Sequence, residues 1–288
     1  MNLKKFSLSL GVMILSAVTI YAGDGYTDSL NKLGIDSETF SSMPAEKQAL
    51  YSNIEVDSVK SQSKYYKLET EKNSRTAENF RTTGSESMVE ISQEQFLFET
   101  EKYFDSNFVT TFSSDSDSTD TSWVEMTTTL SSISNSDEYL LTNDITYIGL
   151  NGFLQPITTH VTGLGCNSNF SVIKDSEYLK REYTLYSADL GIYEPGQVDW
   201  LWSADEKSSS GYAFTYKVAE TEISNSAFMA LRIAPNVSNT TISDGYGYYA
   251  KYTKSVSPSI SFDISGASIS LSPTSNLSKA PKTHVQLP

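Results

Sequence analysis

TSWVEMTTTLSSISNSDEYLLTNDITYI, Thr121 to Ile148, is the stretch whose reading decides the fold. In its first arm Val124, Met126, Thr128 and Leu130 fall on one side of a period-two ribbon, with Trp123, Glu125, Thr127 and Thr129 on the other; this is strand spacing. The second arm sets Tyr139, Leu141, Asn143, Ile145 and Tyr147 against Leu140, Thr142, Asp144, Thr146 and Ile148. Between the arms, Asn135-Ser136-Asp137-Glu138 accept turn conformations, so a β-hairpin is expected. An isolated hairpin is marginally stable in water, and further strands must cover it.

The chain supplies them. Strand-like runs recur at Phe153–Thr162, Asn169–Lys174, Tyr178–Ser187, Val198–Trp202, Gly211–Glu222, Ala227–Ile233, Tyr246–Val256 and Ser259–Ser270, with Gly, Asn, Asp, Ser or Pro clusters between them. Helical period is nearly absent there. The pattern predicts a mainly β protein whose residues 121–273 form an antiparallel β-sandwich or barrel-like domain. About 150 residues in such a domain bury roughly 70% of the unfolded surface, enough for a core without disulfides or metal. The mixed faces of the first arm, Glu125 and Thr127 outward of Val124 and Met126, fit a strand covered on one side.

Working outward from the hairpin, residues 88–120 read as an aromatic segment followed by an acidic Ser/Asp linker. The segment carries Ile91, Phe96, Leu97, Phe98, Tyr103 and Phe104, and its mixed period leaves helix and strand both open. Residues 23–87 read as a small helical N-terminal piece and a linker arm. Asp36 is placed to cap a short helix and Pro44 to start another, whereas 57–87 are mostly Lys, Ser, Glu, Thr and Asn. Residues 274–288 are expected as a flexible C-terminal tail.

At the N-terminus, Lys4 and Lys5 precede an apolar run to about Ile20 and the small residues Ala22 and Gly23, the pattern of a secretory signal peptide over residues 1–22. The run is short of the ~20 residues a spanning helix needs. Of 21 basic and 35 acidic residues, losing Lys4 and Lys5 leaves 19 against 35, a charge of −16. Such a surface repels phosphate backbones and anionic membranes, which excludes nucleic acid as the expected partner. Cys166 is the single cysteine, so no disulfide forms within the chain. An exported, disulfide-free protein with this leader points to a Gram-positive cell. The sequons at Asn169, Asn236, Asn239 and Asn276 are chance matches in a chain rich in Ser, Thr and Asn.

Catalytic chemistry finds little purchase. Only His160 and His284 are available as imidazole bases. His160 precedes Cys166 by six residues, but a strand histidine and a small buried cysteine explain both. Asp115, Asp117 and Asp120 lack the glycine and distal glutamate of a calcium loop. No catalytic residue, metal ligand or cofactor is assigned. Carboxylates such as Asp199, Glu220 and Glu222 keep a glycosidase-type hydrolase open as the alternative. The aromatic placement says more. Trp200 and Trp202 flank Leu201 and point to one face of a strand, while Tyr246, Tyr248 and Tyr252 crowd another; in a chain with 12% aromatic residues the tryptophan face is read either as turned into the core or as exposed. Flat amphipathic rings on an exposed face provide contact area for a glycan or a partner protein.

Leu33-Gly34-Ile35-Asp36, Met43-Pro44-Ala45-Glu46-Lys47, Lys64-Tyr65-Tyr66-Lys67, Asp137-Glu138-Tyr139-Leu140 and Ile269-Ser270-Leu271-Ser272-Pro273, behind a signal peptide, resemble uncharacterised secreted proteins of Gram-positive, clostridia-like bacteria. The resemblance spans most of the chain and implies export; it brings no assigned reaction or ligand. The expectation is a secreted, acidic β-sandwich protein acting outside the cell as a binding or surface-associated module. Ligand contact is expected at Trp200, Trp202, Tyr246, Tyr248 and Tyr252, with a hydrolase or a purely structural protein as alternatives.

Overall fold

The hairpin forms as its residues dictate. In the computed structural model, strands β3 (Ser122–Ile133) and β4 (Tyr139–Gly149) pair antiparallel from Ser122 opposite Gly149 to Ser132 opposite Tyr139. Asn135 takes the left-handed conformation (φ 57°) that the tight turn needs. The structure describes residue 33 and residues 35–52, 54–70, 86–107, 122–149, 157–187, 192–219, 221–237, 243–272 and 277–287. The expected signal peptide and the Ser113–Asp120 linker lie outside them.

The chain divides into two units, Met1–Ile54 and Glu55–Pro288. The first contains helices α1 (Ser37–Ser42) and α2 (Ala45–Tyr51). Asp36 caps α1, its carboxylate accepting from the Thr39 amide at 2.6 Å, and Pro44 immediately precedes α2.

The second unit runs β1 (Val56–Thr70), β2 (Glu86–Ile91), α3 (Gln93–Asn107), β3, β4, β5 (Thr158–Cys166), β6 (Phe170–Val172), β7 (Tyr178–Ser187), β8 (Ile192–Leu201), β9 (Glu206–Ser208), β10 (Gly211–Val218), β11 (Glu222–Pro235), β12 (Ser243–Tyr252), β13 (Ile260–Phe262), β14 (Ile269–Leu271), β15 (Leu277–Lys279) and β16 (Thr283–Leu287). One sheet has the order β2-β1-β3-β4-β11-β7-β8, with β6 also on β11; the other has β15-β12-β5-β10-β9, with β16 also on β12. The strand pairings are antiparallel, and the sheets face each other as a sandwich.

Alternation sorts each strand's residues. Leu130, Leu141, Leu179, Met229 and Leu231 of the first sheet meet Leu164, Phe214, Tyr216, Val285 and Leu287 of the second in the main core. Each such side chain contributes roughly 1.5–3 kcal/mol on burial. A polar layer crosses this core: Asn143 donates to Thr162 and to the Tyr248 carbonyl and accepts from Thr128, which also meets Thr283. These groups lie out of water, and their mutual hydrogen bonds remove the penalty of burying them.

Each sheet carries a cover on part of its outer face. On the first sheet, Phe96 of α3 packs on Trp123 and Ile148, and the Trp123 indole N–H donates to Glu99 at 2.9 Å. On the second, the β13–β14 hairpin packs Phe262, Ile260 and Ile269 over Val161, Tyr248 and Tyr252. β5 is therefore buried along its whole length. The hairpin comes so close to β5 that a Cβ at Gly165 would collide with the Gly266 carbonyl, and Gly266 itself turns at φ +63°.

Three expectations differ from what the structure places. Residues 56–70, read as part of a linker arm, are the long strand β1. Hydroxyl pairs join it to β3 at Ser58–Ser132, Ser61–Thr129 and Ser63–Thr127, each at 2.8 Å, and its buried apolar residues, Tyr66 and Leu68, come near its C-terminal end, so most of its length lacks the apolar alternation that marks a strand. The aromatic segment resolves into both open choices, β2 then α3. The tail forms β15 and β16, whose Val285 and Leu287 enter the core.

Candidate functional site

β8 ends the first sheet, so its outward edge has no neighbour among the described residues. Leu201 points inward to the core, which turns Trp200 and Trp202 outward. The two indoles stack with centroids 5.5 Å apart and planes 2° from parallel, and both are half-buried. They continue across the sheet through Tyr178, 6.2 Å from Trp202, to Phe228, 6.1 Å further. Lys180 lies with its ammonium 5.4 Å from the Trp200 ring while pairing with Glu182 at 2.6 Å. Three neighbouring strands thus build one aromatic cluster in which Tyr178 is fully buried and Trp200, Trp202 and Phe228 are half-buried, with charges beside it. Nothing in the local sequence of β7 or β11 announces Tyr178, Lys180 and Phe228 as members, because the cross-strand register brings them there.

Around the edge of β8 the surface turns into a recess of about 380 Å³ lined by Arg181, Asp199, Trp200, Leu201, Thr215, Tyr216 and Lys217. It opens where β9 stops: β9 pairs only with Gly211–Ala213 of β10, leaving Thr215–Lys217 as an edge among the described residues. Arg181 is the anchor. It donates to Glu222 at 2.7 Å and to the Lys217 carbonyl at 2.8 Å, and it lies 3.6 Å from Asp199. Its guanidinium sits 4.6 Å from the Tyr183 ring and 5.1 Å from that of Tyr216. Burial pushes the Glu222 carboxyl up against the opposing pull of Arg181.

The tyrosines expected on β12 fare differently. Tyr248 and Tyr252 are buried, at 2% and 0% exposure, beneath the β13–β14 hairpin. Their hydroxyls donate to the Gly266 carbonyl at 2.6 Å and the Ser272 carbonyl at 3.2 Å. They are structural residues and offer no surface to a ligand. Tyr246 is half-buried at the margin, stacked on His284 at 4.9 Å, with the Lys282 ammonium 4.5 Å from its centroid.

His160 and Cys166 do not meet. They occupy one extended strand six residues apart, roughly 20 Å at strand rise. His160 Nδ1 lies 2.8 Å from the Tyr249 hydroxyl and Nε2 3.0 Å from Thr158, so both ring nitrogens are engaged in the core. Burial pushes the Cys166 thiol up to about 12. His284 meets Asp244 at 2.8 Å on the surface. Of the candidate carboxylates, Glu220 lies outside the described residues. Glu222 is 4% exposed and accepts from Arg181 on one oxygen and from the Ala219 amide on the other. No group of three or more His, Cys, Asp or Glu among the described residues is arranged to hold a metal, and no helix among them is long and apolar enough to cross a membrane.

No protein family matches the chain, and none of the curated proteins matches it in sequence. Among solved structures it is similar to the T6 backbone pilin of serotype M6 Streptococcus pyogenes, at 9% identity and a TM-score of 0.27 over 82% of this chain; the chain spans 64% of the pilin's length. It is also similar to the Clostridium perfringens NetB toxin in its membrane-inserted form, at 8% identity and a TM-score of 0.18, covering 60% of this chain and 91% of the toxin.

Proposed function

We propose that this chain is an exported binding module that engages a glycan or protein partner outside the cell through the outer end of its first sheet. The observation that carries the reading is the parallel Trp200–Trp202 stack, half-buried on an edge strand and backed by Tyr178 and Phe228. Large rings held by their neighbours lose little conformational freedom on binding, which is why such groups dominate contact surfaces. Export rests on the Lys4-Lys5 leader and its apolar run; the acidic surface directs the module away from polyanions. Glu222, locked onto Arg181, speaks against the hydrolase alternative.

The test is retention of the mature protein on purified Gram-positive cell wall and, separately, on immobilised extracellular protein. Wild type is expected to be held by one of them and Trp202→Ala to be released at unchanged circular dichroism. Equal retention of both would end this reading.

A further inference from the structure

We propose that the uncovered middle of the first sheet's outer face is the docking surface for a lysine- or arginine-rich segment of an extracellular protein, received by Glu125, Asp144 and Glu182 beside Trp200. The inference deepens the reading above by naming the partner's chemistry, and rests on it only for the face of the molecule involved.

Strand register brings these groups together. One row across the face carries Asp144 on β4, Lys180 on β7 and Trp200 on β8; the adjacent row carries Glu125 on β3 and Glu182 on β7. Val124, Ile145 and Leu179 enter the core, so Glu125, Asp144 and Lys180 beside them in sequence point outward, and Glu182 shares the side of Lys180. α3 covers Trp123 and Ile148 on this face but leaves these rows open: Asp144 and Glu182 are exposed and Glu125 is half-buried.

Charge decides the occupant. Three carboxylates stand in these rows against one ammonium, that of Lys180, which Glu182 already holds at 2.6 Å. Asp144 has no hydrogen-bond or ion-pair partner among the described residues. The protein around it, and after that the charges of Glu125 and Glu182, push its carboxyl up to about 6. Like charges set near one another on neighbouring strands destabilise a sheet, so the fold gains nothing from keeping Asp144 ionised here. An arriving ammonium or guanidinium relieves that repulsion, whereas an anion adds to it. The charge of −16 over the mature chain steers a basic partner in the same direction. Trp200 suits it too, because an indole face attracts a cation and already has the Lys180 ammonium 5.4 Å from its ring. Trp200 and Trp202 turn ring faces toward each other, which takes up surface on which a sugar ring would stack and favours a polypeptide over an amino-bearing glycan.

The experiment is a titration of fluorescent decalysine with the full mature chain at pH 7 and ~0.15 M salt, with a chitosan oligomer of the same length as the amino-glycan probe. Any acidic chain attracts a polycation, so the comparison is between two variants that each lose one negative charge: Asp144→Asn on this face and Glu206→Gln on β9 of the other sheet. Asp144→Asn is expected to bind decalysine about fivefold more weakly than Glu206→Gln. Its melting temperature should hold or rise, because the substitution keeps the shape and removes the repulsion. Equal affinities of the two variants, a lower melting temperature of Asp144→Asn, or Asp144-dependent binding of chitosan tighter than that of decalysine would overturn the proposal. If Trp202→Ala loses retention on its partner while the two charge variants bind decalysine alike, the indole surface stands and the cationic partner falls.

Discussion

Two strands of this protein carry the same sequence signal and end in opposite environments. The end of β8 places Trp200 and Trp202 on one face, and β12 places Tyr246, Tyr248 and Tyr252 on one face; in each the rings are an even number of residues apart. The β8 rings stay half-buried at the end of a sheet, whereas two of the three β12 rings vanish beneath a hairpin contributed by residues 260–271. Alternation therefore tells which rings share a face. Whether that face meets water is settled by what later folds onto it.

The largest effect is expected where cover is complete. Tyr252→Ala should cost about 3–5 kcal/mol in urea unfolding, the range for emptying a large buried aromatic site. A loss below about 1 kcal/mol would mean that the β12 rings are no better covered than the β8 pair. Gly165→Ala attacks the cover itself. The added methyl must push the hairpin off β5, so about 1–3 kcal/mol should be lost and amide exchange over 260–271 should accelerate.

The strand behind these tyrosines gives a pH-dependent readout. Burial first, then Lys251 and Arg181, hold His160 well below its ordinary value of about 6.5. Below that pH the unfolded chain binds a proton that the folded chain refuses, so stability is complete above it and falls as pH drops through it. The slope attributable to one histidine is at most about 1.4 kcal/mol per pH unit. Denaturation midpoints of wild type and His160→Gln measured between pH 7 and 5 on the same scale should diverge by that component, and parallel curves would place His160 in contact with solvent. The smallest stability effect belongs to the open face. Trp202→Ala forfeits one ring stack and partial burial, about 0.5–1.5 kcal/mol, although its effect on partner retention is the largest of all.

Much of the sandwich was legible because its core strands obey period two. Asn135 in the turn, Asp36 at its cap and the alternation of Val124, Met126 and Leu130 all sit where their chemistry asks. β1 was not legible, since hydroxyl pairs and backbone bonds to β3 hold most of its length and its buried apolar residues, Tyr66 and Leu68, come only near its C-terminal end. The C-terminal strands escaped notice because THVQL buries only alternate residues of a five-residue run beside Lys and Pro. At the candidate site the indole pair could be read from D-W-L-W. Arg181 and Tyr216 could not, because β7 and β10 meet only through the packing of two sheets and no spacing along the chain encodes it.

Hydroxyl-radical footprinting of the mature protein, free and bound to cell-wall material or to its protein partner, tests the contrast between the two strands most directly. Trp200 and Trp202 should be oxidised in the free protein and protected in the complex, with Tyr248 and Tyr252 unmodified in both. Indoles that stay equally reactive on binding, or β12 tyrosines that react in the free protein, would contradict it.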